Sequence, residues 1–259
     1  MRVTILGCGT SGGVPRIGGA GGRGDWGAAR SDDPRNRRRR CSILVEEGGR
    51  RILVDTSPDL REQLIDARVD GLDAVIWTHD HADQVNGIDD VRPLVLRGGP
   101  IEAWADARTS GILRRRFGYC FDGEPGGFYN PLYRLQTIDG PFQAAGVPVI
   151  PFQQDHGFVP SLGFRFGAFG YANDVVGLPE ASLATLMGVR ILVVDAMRYK
   201  PHPTHAHLDL ALEWIARVKP ERAYLTNLHV DMDYAQLDAM TPEHVAPCHD
   251  GMILEIHNK

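Results

Sequence analysis

At 259 residues with 43% apolar content, the chain is long enough to bury a full hydrophobic core. A net charge of -5 excludes a chain-wide cationic field of the kind that grips nucleic acid or a membrane surface, while leaving room for a local basic patch. Cys8, Cys41, Cys120 and Cys248 are scattered without a Cys-x-x-Cys pair, and no long apolar segment opens the chain, so a reducing, cytoplasmic setting is expected.

Arg2-Val3-Thr4-Ile5-Leu6 reads as a first strand and runs into Gly7-Cys8-Gly9-Thr10-Ser11-Gly12-Gly13-Val14-Pro15. Gly7, Gly9 and Gly12 match Gly-x-Gly-x-x-Gly, but a dinucleotide fingerprint needs a helix directly behind it to aim its N-terminus at a pyrophosphate. Pro15 and the glycines at 18, 19, 21, 22 and 24 preclude that helix, so a flexible loop bordering the active site is expected instead. The run Arg37-Arg38-Arg39-Arg40 reads as a solvated face, with a phosphate-facing edge as the functional alternative. Residues 42–45 and 51–55 predict two strands joined at Gly48-Gly49, and residues 59–67, apolar at Leu60, Leu64 and Ile65, a short helix.

The apolar run Ala74-Val75-Ile76-Trp77 then ends in Thr78-His79-Asp80-His81-Ala82-Asp83-Gln84. Two imidazoles one residue apart and a carboxylate two further on, set where a buried strand stops, can converge on a divalent metal; the bare spacing also fits a polar loop. A helix over 88–96 interrupted by Pro93, a strand near 101–104 and a helix across 109–116 follow. From 117 to 134, Phe117, Tyr119, Phe121, Phe128, Tyr129 and Tyr133 are interleaved with glycines and prolines. They predict a satellite core under a long loop, with a stacking surface for a substrate ring as the alternative.

In the C-terminal half, strands are expected over 147–152 and 162–166, with His156 between them. Tyr171-Ala172-Asn173-Asp174 and the run 190–195, which ends in Asp195, also place carboxylates where apolar strands stop. His202, His205 and His207 open a helix through Leu212, Trp214 and Ile215; one of them serving a site built elsewhere is preferred over a separate zinc cluster. Residues 222–229 form a strand running into Asn227 and His229, and Cys248-His249-Asp250-Gly251-Met252 is a turn before a closing strand. His244 and His257 have no partner in sequence, and without repeats or a clear linker the chain reads as one domain, 1–259.

Taken in order, His79-x-His81-x-Asp83, His156, Asp174 and the strand ending Leu225-Thr226 resemble the signature of the metallo-β-lactamase superfamily. The likeness is closer to its phosphodiesterase branch, which includes phosphoribosyl cyclic-phosphate phosphodiesterase and, further off, ribonuclease Z. It extends over Arg40-Cys41-Ser42, Gly177-Leu178-Pro179-Glu180, His205 before a helix, and Asp250-Gly251-Met252. The resemblance implies an αββα sandwich of the α/β class. It implies a metal-dependent phosphodiesterase that hydrolyses a small cyclic phosphate or nucleotide-like diester by a metal-bound hydroxide. By the same likeness His79, His81 and His156 hold one metal, zinc or manganese, and Asp174 bridges to a second held by Asp83. His205 looks like the acid that protonates the leaving oxygen, and Asp55 like a carboxylate that orients a ligand.

Three departures bear on the transfer. Gln84 and Asn227 stand where the family has histidines for the second metal, and amide oxygens are weaker zinc ligands than imidazole. That position is therefore weak, empty, or suited to a harder ion, with His229, two residues beyond Asn227, as a candidate substitute ligand. The early loop also lacks the cysteines that hold a structural zinc in phosphoribosyl cyclic-phosphate phosphodiesterase, so no such site is expected. The alternatives are a ribonuclease Z-like enzyme, against which no long basic arm for folded RNA is evident, and a degenerate member binding nucleotide or metal without turnover. The expected partner is a small phosphate ester or nucleotide, with neither membrane nor nucleic acid, and a homodimer is left open.

Overall fold

The computed structural model describes residues 1–123 and 130–256, so Phe128, Tyr129 and His257 lie outside the described residues. The first sheet contains β1 (Arg2–Gly7), β2 (Ser42–Glu47), β3 (Arg50–Val54), β4 (Ala74–Ile76), β5 (Ile101–Asp106) and β6 (Tyr133–Ile138). The second contains β7 (Phe142–Ala144), β8 (Val147–His156), β9 (Val159–Phe166), β10 (Phe169–Ala172), β11 (Ile191–Asp195), β12 (Arg222–Thr226) and β13 (Val245–Pro247). The last strand, β14 (Ile253–Glu255), returns to the first sheet beside β1.

Side chains alternate across a strand, and here both faces are apolar. Val3, Ile5, Ile43, Val45, Ile52, Val54 and Ile76 point inward and pack against Val149, Phe164, Phe166, Tyr171 and Val193 of the second sheet. Their neighbours Leu44, Leu53, Val75 and Trp77 point outward. The helices are α1 (Leu60–Asp66), α2 (Ala82–Val85), α3 (Arg92–Gly98), α4 (Ala107–Asp122), α5 (Glu180–Leu186), α6 (Leu208–Val218) and α7 (Tyr234–Met240). Residues of α1, α3 and α4 cover the first sheet's outer face, and residues of α5, α6 and α7 cover that of the second. The result is the expected αββα sandwich.

Each sheet changes from antiparallel to parallel pairing at its middle strand. β14, β1, β2 and β3 are antiparallel, while β3 to β6 are parallel. β7 to β10 are antiparallel, while β10 to β13 are parallel. The parallel halves therefore gather several strand C-termini at one edge of each sheet.

Some local expectations are corrected. Pro93 opens α3 instead of interrupting a longer helix, because a first-turn position has no intrahelical N–H bond to lose. The stretch after 116 continues α4 to Asp122 with a kink at Phe117. Phe121 and Tyr133 pack edge-on to Trp77, at ring-centroid distances of 6.2 and 5.2 Å, so they belong to the outer-face core. The arginine run is not uniformly a solvated face: Arg37 is exposed, but its neighbour turns inward. Arg38 is only 2% exposed and donates to the carbonyls of Met232 and His229 and to Asn36, while Arg39 and Arg40 pair with Asp66 and Asp59. Among the described residues no helix is long and apolar enough to cross a membrane.

Candidate metal centre and active site

The polar residues singled out in the sequence meet where strands end: Asp55 after β3, Thr78 and His79 after β4, His156 at the end of β8, Asp174 after β10, Asp195 closing β11 and Asn227 after β12. Asp55, Asp174 and Asn227 have φ of 65, 53 and 61°, three of the six non-glycine residues with positive φ among those described. Asp and Asn enter the left-handed region more readily than other L residues, which suits them to these sharp exits.

His79 is fully buried and its orientation is set by a short relay. The Thr78 hydroxyl donates to Asp55 Oδ2 at 2.9 Å, and the Thr78 N–H donates to Asp55 Oδ1 at 2.8 Å. With its only proton committed, that hydroxyl accepts from His79 Nδ1 at 3.0 Å. The lone pair is then on Nε2, which is buried without a hydrogen-bond partner. His156 is fixed in the same sense: Nδ1 donates to the Thr204 carbonyl at 2.7 Å, and Nε2 lies 3.3 Å from His81 Nδ1.

The ligating atoms of His79, His81 and His156 all fall within 4.8 Å of one another. Two nitrogens bound at ~2.05 Å to a tetrahedral ion would themselves be roughly 3.3 Å apart. Burial pushes the His79 ring well below the usual imidazole range, and burial together with the charge of His205 lowers His156 to about 4. Neutral rings, converging lone pairs and an orphaned buried nitrogen fit a divalent cation.

Beside this triad His205 is held for a different task. Its Nδ1 donates to Asp195 Oδ2 at 2.9 Å and lies 3.6 Å from Asp174 Oδ1. Burial lowers its pKa, but the hydrogen bond to Asp195 and the charges of Asp195, Asp174 and Asp83 outweigh burial and raise it to about 9. The ring is therefore an imidazolium at neutral pH. Burial, with the Asp83 charge next, pushes the Asp174 carboxyl well above the carboxylate range. Gln84 donates through Nε2 to Asp83 Oδ2 at 3.1 Å and to Asp174 Oδ2 at 3.0 Å. Asn227 donates through Nδ2 to Asp174 Oδ1 at 3.2 Å and to Asp195 Oδ2 at 3.3 Å.

These groups open on a cavity of about 230 Å³ whose walls include Thr10, Ser11, His81, Asp83, Met197 and His205, so the early glycine-rich loop does border the site. A larger groove of about 690 Å³, lined by Arg2, Arg37, Arg39 and Arg68 among others, shares no residue with it and contains no converging ligand set.

Not every expected residue joins. His156, Asp174 and His205 form a second converging group, whereas Asp83 lines the cavity outside both groups. His229 is not brought to the triad: Nε2 meets Arg16 Nη1 at 3.2 Å and Nδ1 meets Asp231 Oδ2 at 2.9 Å. Both its nitrogens are taken because the chain turns away after Asn227. Of the histidines before α6, only His205 lines the cavity; His202 stacks beside it at 5.3 Å, and His207 is the N-cap residue of α6. The sequence assigns no role to Thr78, which it shows only as the first residue of the motif, and marks Asp195 only as a strand-ending carboxylate. Their signal was their position alone.

Residues 50–227 match the family model of the beta-lactamase superfamily domain. The chain belongs to this superfamily. A solved diphosphatase of the PhnP family is 34% identical, with a TM-score of 0.89 over 99% of this chain and 98% of that one, which sets the protein in the superfamily's phosphodiesterase branch. Zn(2+)-bound PqqB from Methylobacterium extorquens (19% identity, TM-score 0.74, 99% and 100% covered) and the short form of human tRNase Z (18%, 0.69, 100% of both) share the fold. A curated octanoyltransferase of Porphyromonas gingivalis is 33% identical over all of this chain. The chain spans about half, 52%, of that relative's length. The superfamily consists mostly of metal-dependent hydrolases.

Proposed function

We propose that the protein is a cytoplasmic, single-domain, metal-dependent phosphodiesterase acting on a small cyclic phosphate or nucleotide-like diester. The observation that supports this most directly is the placement of His205, held by Asp195, beside the three converging imidazoles of His79, His81 and His156. His79, His81 and His156 would hold a zinc or manganese ion, which when bound supplies Lewis acidity toward phosphoryl oxygens. His205 does the proton work. Asp195 fixes Nδ1–H, leaving the Nε2 proton for the leaving oxygen, and the ring that results is the neutral tautomer Asp195 already favours. Asp83, at the cavity wall, accepts a proton from the attacking water, while the Thr10 and Ser11 loop binds the phosphoryl group. A cavity of about 230 Å³ suits a small ester better than folded RNA.

Purified protein supplied with manganese or zinc is expected to hydrolyse a chromogenic phosphodiester and to lose that activity on chelation. A metal-loaded protein inert toward a panel of linear and cyclic diesters would remove the proposal.

A further inference from the structure

The superfamily likeness implies two metal ions, and the donor set fits only one of them. We propose that the amide groups of Gln84 and Asn227 replace the second cation, so that the centre takes a single divalent ion on His79, His81 and His156. The inference rests on the metal-dependent reading above.

Three features support it. Asp174, the carboxylate that would have to bridge, already accepts on both oxygens: Oδ2 from Gln84 at 3.0 Å and from Asn173 at 2.6 Å, and Oδ1 from Asn227 at 3.2 Å. His156 has one lone pair to offer, since its Nδ1 proton is held by the Thr204 carbonyl, and the triad uses it. His205 Nδ1, the nitrogen nearest Asp174, is committed to Asp195.

The amide orientations point the same way. Turning Gln84 around would set a carbonyl oxygen against the carboxylates of Asp83 and Asp174 at about 3 Å, which repel it without a cation between them. Gln84 Oε1 is left buried without a partner, so the site favours the donor end of this amide even though its acceptor end goes unsatisfied. Four N–H groups thus do for Asp83, Asp174 and Asp195 what a cation does elsewhere. They neutralise no charge, and His205 Nδ1–H adds one more donor to Asp195 within this cluster.

Native mass spectrometry after saturation with Mn(II), with elemental analysis, reads the difference directly. Wild type is expected to hold one equivalent per chain. The Gln84→His/Asn227→His variant is expected to hold two and to show a spin-coupled Mn(II) spectrum that wild type lacks. Gln84→Glu, nearly isosteric but without the donor, is expected to melt lower than wild type in chelator and to regain the loss with Mn(II). Two equivalents in wild type would overturn the proposal, as would a double variant that is folded by circular dichroism yet still holds one. If the double variant does not fold, wild-type stoichiometry and the Gln84→Glu melting curves decide. A wild type that takes up no metal overturns both this inference and the phosphodiesterase reading, whereas one bound equivalent without diester turnover removes only the latter.

Discussion

Thr78 joins a buried carboxylate to a buried ligand: it spends its hydroxyl proton on Asp55 and receives that of His79 Nδ1. Thr78→Val keeps the shape and removes the relay, leaving Asp55 Oδ2 and His79 Nδ1 unpaired. Metal affinity, read by competition with a chromophoric chelator, is expected to fall ~10–100-fold; unchanged affinity would show that packing alone orients the ring. His205 governs pH dependence. Because its pKa is raised to about 9, the proton it donates is present at neutral pH and lost as pH rises through that value. Diester hydrolysis should therefore decline above about pH 9. His205→Ala is expected to lower kcat by ~10²–10⁴ with metal content intact, and to lack that limb. A variant that keeps full activity would take His205 out of the mechanism.

At the level of elements, the site depends on how tightly α2 is held to the end of β3. Gln84 and Gly87 exchange backbone hydrogen bonds with Thr56, and a Cβ on Gly87 would stand 2.0 Å from the Ser57 carbonyl oxygen and 2.9 Å from Leu60 Cβ. Gly87→Ala must push the backbone apart, at a cost of ~1–3 kcal/mol in a urea titration. The shift carries Asp83 and Gln84 with it, so metal binding should weaken in the same variant; undiminished stability would mean the loop yields freely. Elements were legible where both faces of a strand are apolar, as in β2, β3 and β11. They were not where length was the only cue, as in β7 and β13, each of three residues that make sense only against neighbouring strands.

Across the whole molecule, Asp250 ties the two ends of the chain together: its carboxylate accepts from the Cys8 N–H at 3.2 Å and the Arg39 N–H at 2.8 Å. Burial pushes its pKa up to about 7 against the lowering effect of those bonds. The unfolded chain releases this proton near ~3.9. Between those values the folded state alone holds it. The contribution to stability is thus complete below about pH 4 and lost as pH rises through about 7. Asp250→Asn should flatten that part of the stability-against-pH curve measured by urea unfolding at pH 5 and pH 8; an identical slope in the variant would exclude Asp250 as its source.

The sequence by itself marked the apolar strands and the His79-x-His81-x-Asp83 spacing, which are local properties written along the chain, and its ordered likeness to the superfamily supplied the layered α/β class, the place of His156 in the triad and the anomaly at Gln84 and Asn227. Tertiary structure decided what could not be local. It turned Arg38 inward, gave His229 to Arg16 and Asp231 instead of the metal centre, and aimed both amides at carboxylates that lie far away in sequence. Which end of an amide faces a carboxylate, and which histidine retains a lone pair, depends on partners delivered by other strands, so no spacing rule along one strand could have fixed it.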